Sequence, residues 1–69
     1  MDAASIERRF TYHAPRGNQP ARYERIRIMA RQYAELIDAL CPDSDEKSRA
    51  IDRLDEVVML ANAAIARNE

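Results

Sequence analysis

The run Arg9-Phe10-Thr11-Tyr12-His13 sets a cation, two aromatic faces and an imidazole side by side, and Ala61-Asn62-Ala63-Ala64-Ile65-Ala66-Arg67-Asn68 places an amide and another cation among small side chains. An aromatic ring in an irregular segment can stack on a nucleobase, a contact worth about 1–3 kcal/mol in single-stranded nucleic acid complexes. Arg27 and Arg31 lie one helical turn apart, on a side distinct from the apolar stripe of their helix, so two guanidinium groups can point at one anion. Ten of the eleven basic residues are arginine, whose planar fork grips phosphate bidentately where lysine acts as a point charge. These are tools for recognising anions and bases.

Tools for breaking bonds are missing. The only His and the only Cys, His13 and Cys41, stand 28 positions apart, whereas a nucleophile needs an adjacent base and a metal needs three or four convergent ligands. Neighbouring acids such as Asp55 and Glu56 point to different sides of a helix and read as solvated. There is no Gly-rich phosphate loop, and no cofactor, metal or enzymatic activity is expected. Plainer readings stand beside the binding ones. His13 reads as a hydrogen-bonding or surface imidazole, Cys41 beside Pro42 as a small buried residue, Phe10 as a core plug and Tyr12 as a lid over the helix ends. Arg67 and Asn68 can also answer the negative end of their own helix.

The elements that must carry these residues are helical. A short element around Ser5 to Phe10 is followed by an irregular stretch, Thr11 to Asn18, with Pro15 and the sole glycine, Gly17. Pro20 suits the start of a long helix, and Tyr23, Ile26, Ala30, Tyr33, Ile37 and Leu40 recur at spacings of three and four along one stripe. That helix ends before Pro42. Asp43 or Ser44 caps a second one, whose stripe is Ile51, Leu54, Val58, Ala61 and Ile65. So short a link forces an antiparallel hairpin. The fold class is therefore all-α: a short N-terminal element, then a two-helix antiparallel hairpin, in a single domain spanning residues 1–69.

A chain of this size rarely yields more than about 3–5 kcal/mol of stability from its own core. Met29, Leu36, Val57, Leu60 and Ala64 flank the two stripes and would stay wet in a lone hairpin, so assembly into a helical homo-oligomer is expected. No window approaches the roughly 20 apolar residues of a membrane span and no signal peptide is evident, which places the chain in the cytoplasm. A single cysteine fits a reducing compartment. The net charge of −1 conceals an uneven split, +4 over residues 1–33 and −5 over residues 34–69. A polyanion-binding face is thus not excluded by charge.

Four runs in order resemble the small phage anti-CBASS proteins of the cyclic-nucleotide sponge type. They are Arg9-Phe10-Thr11-Tyr12-His13-Ala14-Pro15, Gln19-Pro20-Ala21-Arg22-Tyr23-Glu24-Arg25-Ile26-Arg27, Cys41-Pro42-Asp43-Ser44-Asp45-Glu46-Lys47-Ser48, and Met59-Leu60-Ala61-Asn62-Ala63-Ala64-Ile65-Ala66-Arg67-Asn68. The resemblance implies a phage-encoded hexamer of hairpins in the cytoplasm of the infected bacterium. Such a hexamer captures cyclic di- and trinucleotide messengers of CBASS immunity and releases them unaltered. It further implies that dinucleotides bind between protomers near Tyr12 and His13, with Tyr12 on a base and Arg27 on phosphate, and that trinucleotides use a separate pocket to which Arg67 belongs. Arg9, Arg31 and Asn62 complete the candidate ligand-binding set. Two positions depart from the family pattern: Leu60 stands where Trp is common, and Asp45 where a basic or polar residue is common.

Other functions carry weight of their own. A related hairpin domain occurs in inhibitors of Thoeris immunity, which implies a sponge for cyclic ADP-ribose-type signals as an alternative. A small phage DNA-binding regulator using the basic N-terminal half, and a purely structural helical oligomer, are the others. Binding to membranes or to polymeric nucleic acid is not expected under the sponge reading.

Overall fold

The computed structural model describes residues 1–69 as three α-helices and no strand: α1 (Ala3–Phe10), α2 (Gln19–Leu40) and α3 (Asp45–Asn68). Asp2 caps α1, its Oδ1 accepting from the Ser5 N–H at 2.7 Å. This bond holds the Asp2 carboxyl below its ordinary range. Pro20 falls in the first turn of α2, where its missing N–H has no intrahelical partner to lose. Of the two possible caps for α3 it is Ser44 that serves, its Oγ accepting from the Lys47 N–H at 3.1 Å. The link between the helices runs from Cys41 to Ser44, so α2 and α3 pack antiparallel along their length.

The seam is formed by Tyr23, Ile26, Ala30, Ala34 and Ile37 from α2 against Ile51, Leu54, Val58, Ala61 and Ile65 from α3, all part-buried. Two members of the expected α2 stripe lie outside it. Tyr33 is 59% exposed and Leu40 is exposed at the helix end. Positions 33 and 34 both satisfy the spacing from Ala30, and the alanine, which lets the helices approach closely, takes the seam while the tyrosine turns onto the outer face. Cys41 is exposed, not buried, because the chain has already left the helix at this point. Phe10 is no core plug: at the end of α1 it is 84% exposed.

One hairpin cannot make a core. The molecule measures 45 × 30 × 12 Å, and not one hydrophobic residue is fully buried. The single buried residue is Gln19, at 5% exposure. Met29, Tyr33, Leu36, Val57 and Val58 instead line an open trough of about 670 Å³ along one side of the hairpin.

The two ends of α3 complement the dipole of α2. The last turn of α2 holds no basic residue, and Lys47 fills that role from the first turn of α3. Its Nζ donates to the Asp38 carbonyl at 3.0 Å and pairs with the carboxylates of Asp38 and Asp43 at 2.9 and 3.0 Å. Those bonds, Asp38 first, raise the ammonium pKa. The first turn of α2 holds no acid, and its N-cap Asn18 makes no side-chain bond. There Glu69 supplies the anion, accepting from Gln19 and from Arg22. Opposite charges near helix ends are favourable for this reason.

Candidate functional site

Because the hairpin is antiparallel, the start of α2 and the end of α3 lie together, and the Thr11–Asn18 segment crosses beside them. A cleft of about 530 Å³ opens at this end. The segment contributes Thr11, Tyr12, His13 and Pro15, α1 contributes Arg9, α2 contributes Tyr23 and Arg27, and α3 contributes Asn62, Ala63, Ala66 and Arg67. Six of the seven candidate residues, Arg9, Tyr12, His13, Arg27, Asn62 and Arg67, thus meet in one place.

Arg31 does not join them. Its Nε donates to Glu35 Oε1 at 3.0 Å, four residues further along α2. One turn of helix carries it about 6 Å away from the cleft. Within one protomer Arg27 and Arg31 therefore do not face the same opening. Arg27 stands among the cleft residues and Arg31 forms an exposed surface pair with Glu35.

The cleft is positive. No acidic residue lines it, and its three arginines, Arg9, Arg27 and Arg67, take part in none of the chain's ion pairs, which use Arg22, Arg31, Lys47 and Arg53. Unpaired guanidinium groups converging on one opening are suited to charge-assisted bonds with phosphate. Tyr12 stands at the rim, 84% exposed, with its ring free to stack. It does not cover the helix ends.

Two candidate residues also hold α1 in place. The His13 Nε2–H donates to the Arg8 carbonyl at 2.9 Å, and the Arg67 guanidinium reaches the Arg9 carbonyl at 3.4 Å. Carbonyls in the last turn of a helix have no partner within it, so these side chains serve as caps for α1. The Arg67 contact is longer than an ordinary N–H···O bond. Asn62 Oδ1 is buried and finds no donor in the chain, an arrangement that costs about 1–3 kcal/mol when left unmet.

On the outer side of Arg67 lies a second depression of about 380 Å³, bounded by Arg8, Arg9, Leu60 and Asn68. Arg9, Ala63 and Arg67 form the wall between the two. No group of three or more His, Cys, Asp or Glu side chains is placed to hold a metal ion.

The spacing places Tyr23 in the seam, where it is part-buried, yet it also lines the cleft. The signal was present, since Tyr23 and Arg27 are one turn apart on α2, as are Asn62 and Ala66, and Ala63 and Arg67, on α3. Thr11, Pro15 and the alanines could not have been singled out, because they offer only shape.

Comparison with curated proteins and with solved structures finds no match. A family model described as "Acb2/Tad1, hairpin domain" matches residues 2–66, which takes in α1, the crossing segment and nearly all of the hairpin. Its four motifs resemble the anti-CBASS sponges, and the chain belongs to the Acb2/Tad1 hairpin-domain family of anti-CBASS and Thoeris sponges.

Proposed function

We propose that this protein is a phage-encoded sponge that binds cyclic di- and trinucleotide messengers of bacterial CBASS immunity and holds them without cleaving them. The observation that carries this reading is the acid-free cleft in which Arg9, Arg27 and Arg67 remain unpaired beside Tyr12. Family membership supports an anti-defence sponge function. A cyclic oligonucleotide presents phosphates in a ring and bases on its outside, so a pair of arginines and a stacking ring match its two kinds of surface. In this reading Tyr12 stacks on a base, Arg27 meets a phosphate, and His13, Arg9 and Asn62 complete the dinucleotide site. Arg67, on the wall between the two depressions, serves the trinucleotide.

Sequestration asks for tight burial and no turnover. Nanomolar capture needs about −12 kcal/mol, which an open cleft on a 12 Å-thick chain does not supply alone. Self-association completes the site in this proposal. The apolar trough along α2 and α3 provides a surface for other copies, and symmetry then repeats the cleft around a hexamer. The absence of a helix long and apolar enough to cross a membrane is compatible with action in the host cytoplasm.

Competition binding against a panel tests the reading. The panel comprises cyclic dinucleotides, cyclic trinucleotides, a cyclic ADP-ribose isomer and duplex DNA. Preference for cyclic di- or trinucleotides supports the proposal. Preference for the cyclic ADP-ribose isomer assigns the protein to Thoeris signals, and DNA retention that falls steeply with salt assigns it to DNA regulation.

A further inference from the structure

The one residue that the folded chain buries is polar, and its side chain is spent on joining segments distant in sequence. Gln19 Oε1 accepts from the Arg16 N–H at 3.0 Å, and its Nε2 donates to Glu69 Oε1 at 3.2 Å. The Arg16 carbonyl accepts from the Gln19 N–H at 2.9 Å, and Glu69 also accepts from the Arg22 guanidinium. The crossing segment, the first turn of α2 and the end of α3 are thereby linked at one point. Burying an amide is unfavourable unless its bonds are made. Here both ends of the amide are used.

This junction adjoins the cleft. His13, Ala14, Arg16, Gln19, Ala66 and Glu69 surround a small depression of about 270 Å³, and His13 and Ala66 belong to the cleft wall as well. The Thr11–Asn18 segment contains no regular secondary structure apart from the turn at Gly17 and Asn18. Towards α1 it is tied by His13 to the Arg8 carbonyl. Towards the hairpin its hydrogen bonds run through Gln19 and through the Arg22 N–H to the Asn18 carbonyl. Tyr12 and His13 therefore depend for their position on residues outside the cleft.

We propose that Gln19 and Glu69 form a latch that fixes the crossing segment against the joined ends of α2 and α3, holding Tyr12 and His13 in the ligand-competent arrangement before the ligand arrives. Gln19 and Glu69 are positioning residues and touch no ligand. The proposal rests on the cyclic-nucleotide reading for its effect on affinity, but its effect on segment order is independent of any ligand. When the competent arrangement is populated only in part, apparent affinity falls by that fraction. A latch whose loss leaves about one tenth of molecules competent weakens capture about tenfold.

The test uses the whole chain with two latch variants, Gln19→Leu and Glu69→Ala, and a conservative one, Glu69→Gln, which keeps an oxygen to accept from Gln19 and Arg22. Amide hydrogen exchange is measured without ligand, and calorimetry with cyclic GMP–AMP as the probe. Expected are faster exchange at the Arg16 amide in both latch variants with the middle of α2 and α3 unchanged, a roughly tenfold weaker Kd, and recovery towards the parent value in Glu69→Gln. In the Tyr12→Ala background the latch substitutions should add less than their full loss, since part of the latch's effect passes through that ring and the rest through His13; a merely structural role would give additive losses.

Full additivity, or unchanged binding despite faster exchange, overturns the positioning role. Unchanged exchange overturns the latch itself. Should the parent chain take up no cyclic GMP–AMP or other cyclic nucleotide, the functional reading and the affinity claim fall together, and the exchange data alone decide whether the latch orders the segment. Glu69 lies outside the α2–α3 seam, so Glu69→Ala remains informative even if Gln19→Leu fails to fold.

Discussion

Tyr12→Ala should separate binding from folding more cleanly than any other substitution in this chain. The ring is 84% exposed, so about one sixth of a tyrosine surface of roughly 200 Å² is in contact with the rest of the molecule. At about 25 cal/mol per Å² that contact is worth under ~1 kcal/mol, and α2 and α3 contribute no residue to the same short segment. The loss of base stacking, in contrast, is about 1–3 kcal/mol, which corresponds to a roughly 5- to 150-fold weaker Kd. Calorimetric titration with a cyclic dinucleotide measures the second quantity, and thermal unfolding followed by circular dichroism measures the first. The expected result is a large affinity loss with helix content and assembly unchanged. Undiminished affinity in a correctly assembled variant would remove Tyr12 from the site, and a collapse of the fold would show that the ring is a structural lid after all.

Further perturbations address the assembly and the rest of the site. If the chain assembles as proposed, Val57→Asp should break the parent oligomer into single chains as read by light scattering, because an unpaired carboxylate buried in the apolar trough costs several kcal/mol at each copy; an intact oligomer would move the interface elsewhere, and a monomeric parent would refute the assembly. Val57 is a sharper probe than Leu60, whose neighbours Arg8, Arg9 and Arg67 would offset a carboxylate there. Arg27→Ala should weaken cyclic dinucleotides and Arg67→Ala cyclic trinucleotides, each by about 1.5–3 kcal/mol, the range for a hydrogen bond to a charged group. Since both arginines line one cleft, mutually exclusive binding of the two ligands in a competition titration would replace two pockets by one. The Glu69 carboxyl lies below its ordinary value of 4.5, chiefly through its bond to Arg22 and then to Gln19, with Arg16 also nearby. A depressed acid stabilises the fold above its unfolded value and loses that contribution as pH falls through the folded one. The tie between the ends of α2 and α3 should therefore hold through neutral pH and loosen only below about pH 4.5, and exchange at the Arg16 amide that rises already near neutrality would count against it.

Much of this architecture is legible in the residues. Apolar spacing, Pro20, Pro42 and the Ser44 cap leave little choice but two long helices folded back on each other, and antiparallel packing then brings the Tyr12 segment to Arg67. Periodicity could not choose between Tyr33 and Ala34 for the seam, because both fit the helical repeat and only the closeness of the partner helix decides. Hydrophobicity likewise misplaced Phe10 and Cys41, since a hairpin this thin has no interior to receive them. Among the arginines, type and spacing are nearly silent: Arg22 and Arg31 are held by Glu69 and Glu35, whereas Arg9, Arg27 and Arg67 stay free. One of those pairings spans most of the chain, and so emerges only with the fold. The role of Gln19 was invisible for the same reason, as a glutamine at the start of a helix ordinarily faces water.

The central claim is capture without turnover, and equilibrium dialysis of the parent chain against a cyclic dinucleotide tests it most directly. After equilibration the protein is heat-denatured and the released nucleotide is identified by chromatography and mass spectrometry. The expected result is saturable uptake at submicromolar free ligand, followed by complete recovery of the intact ring, with no uptake of a linear dinucleotide control at the same concentration. No uptake, or recovery of a linearised or hydrolysed product, would contradict the sponge.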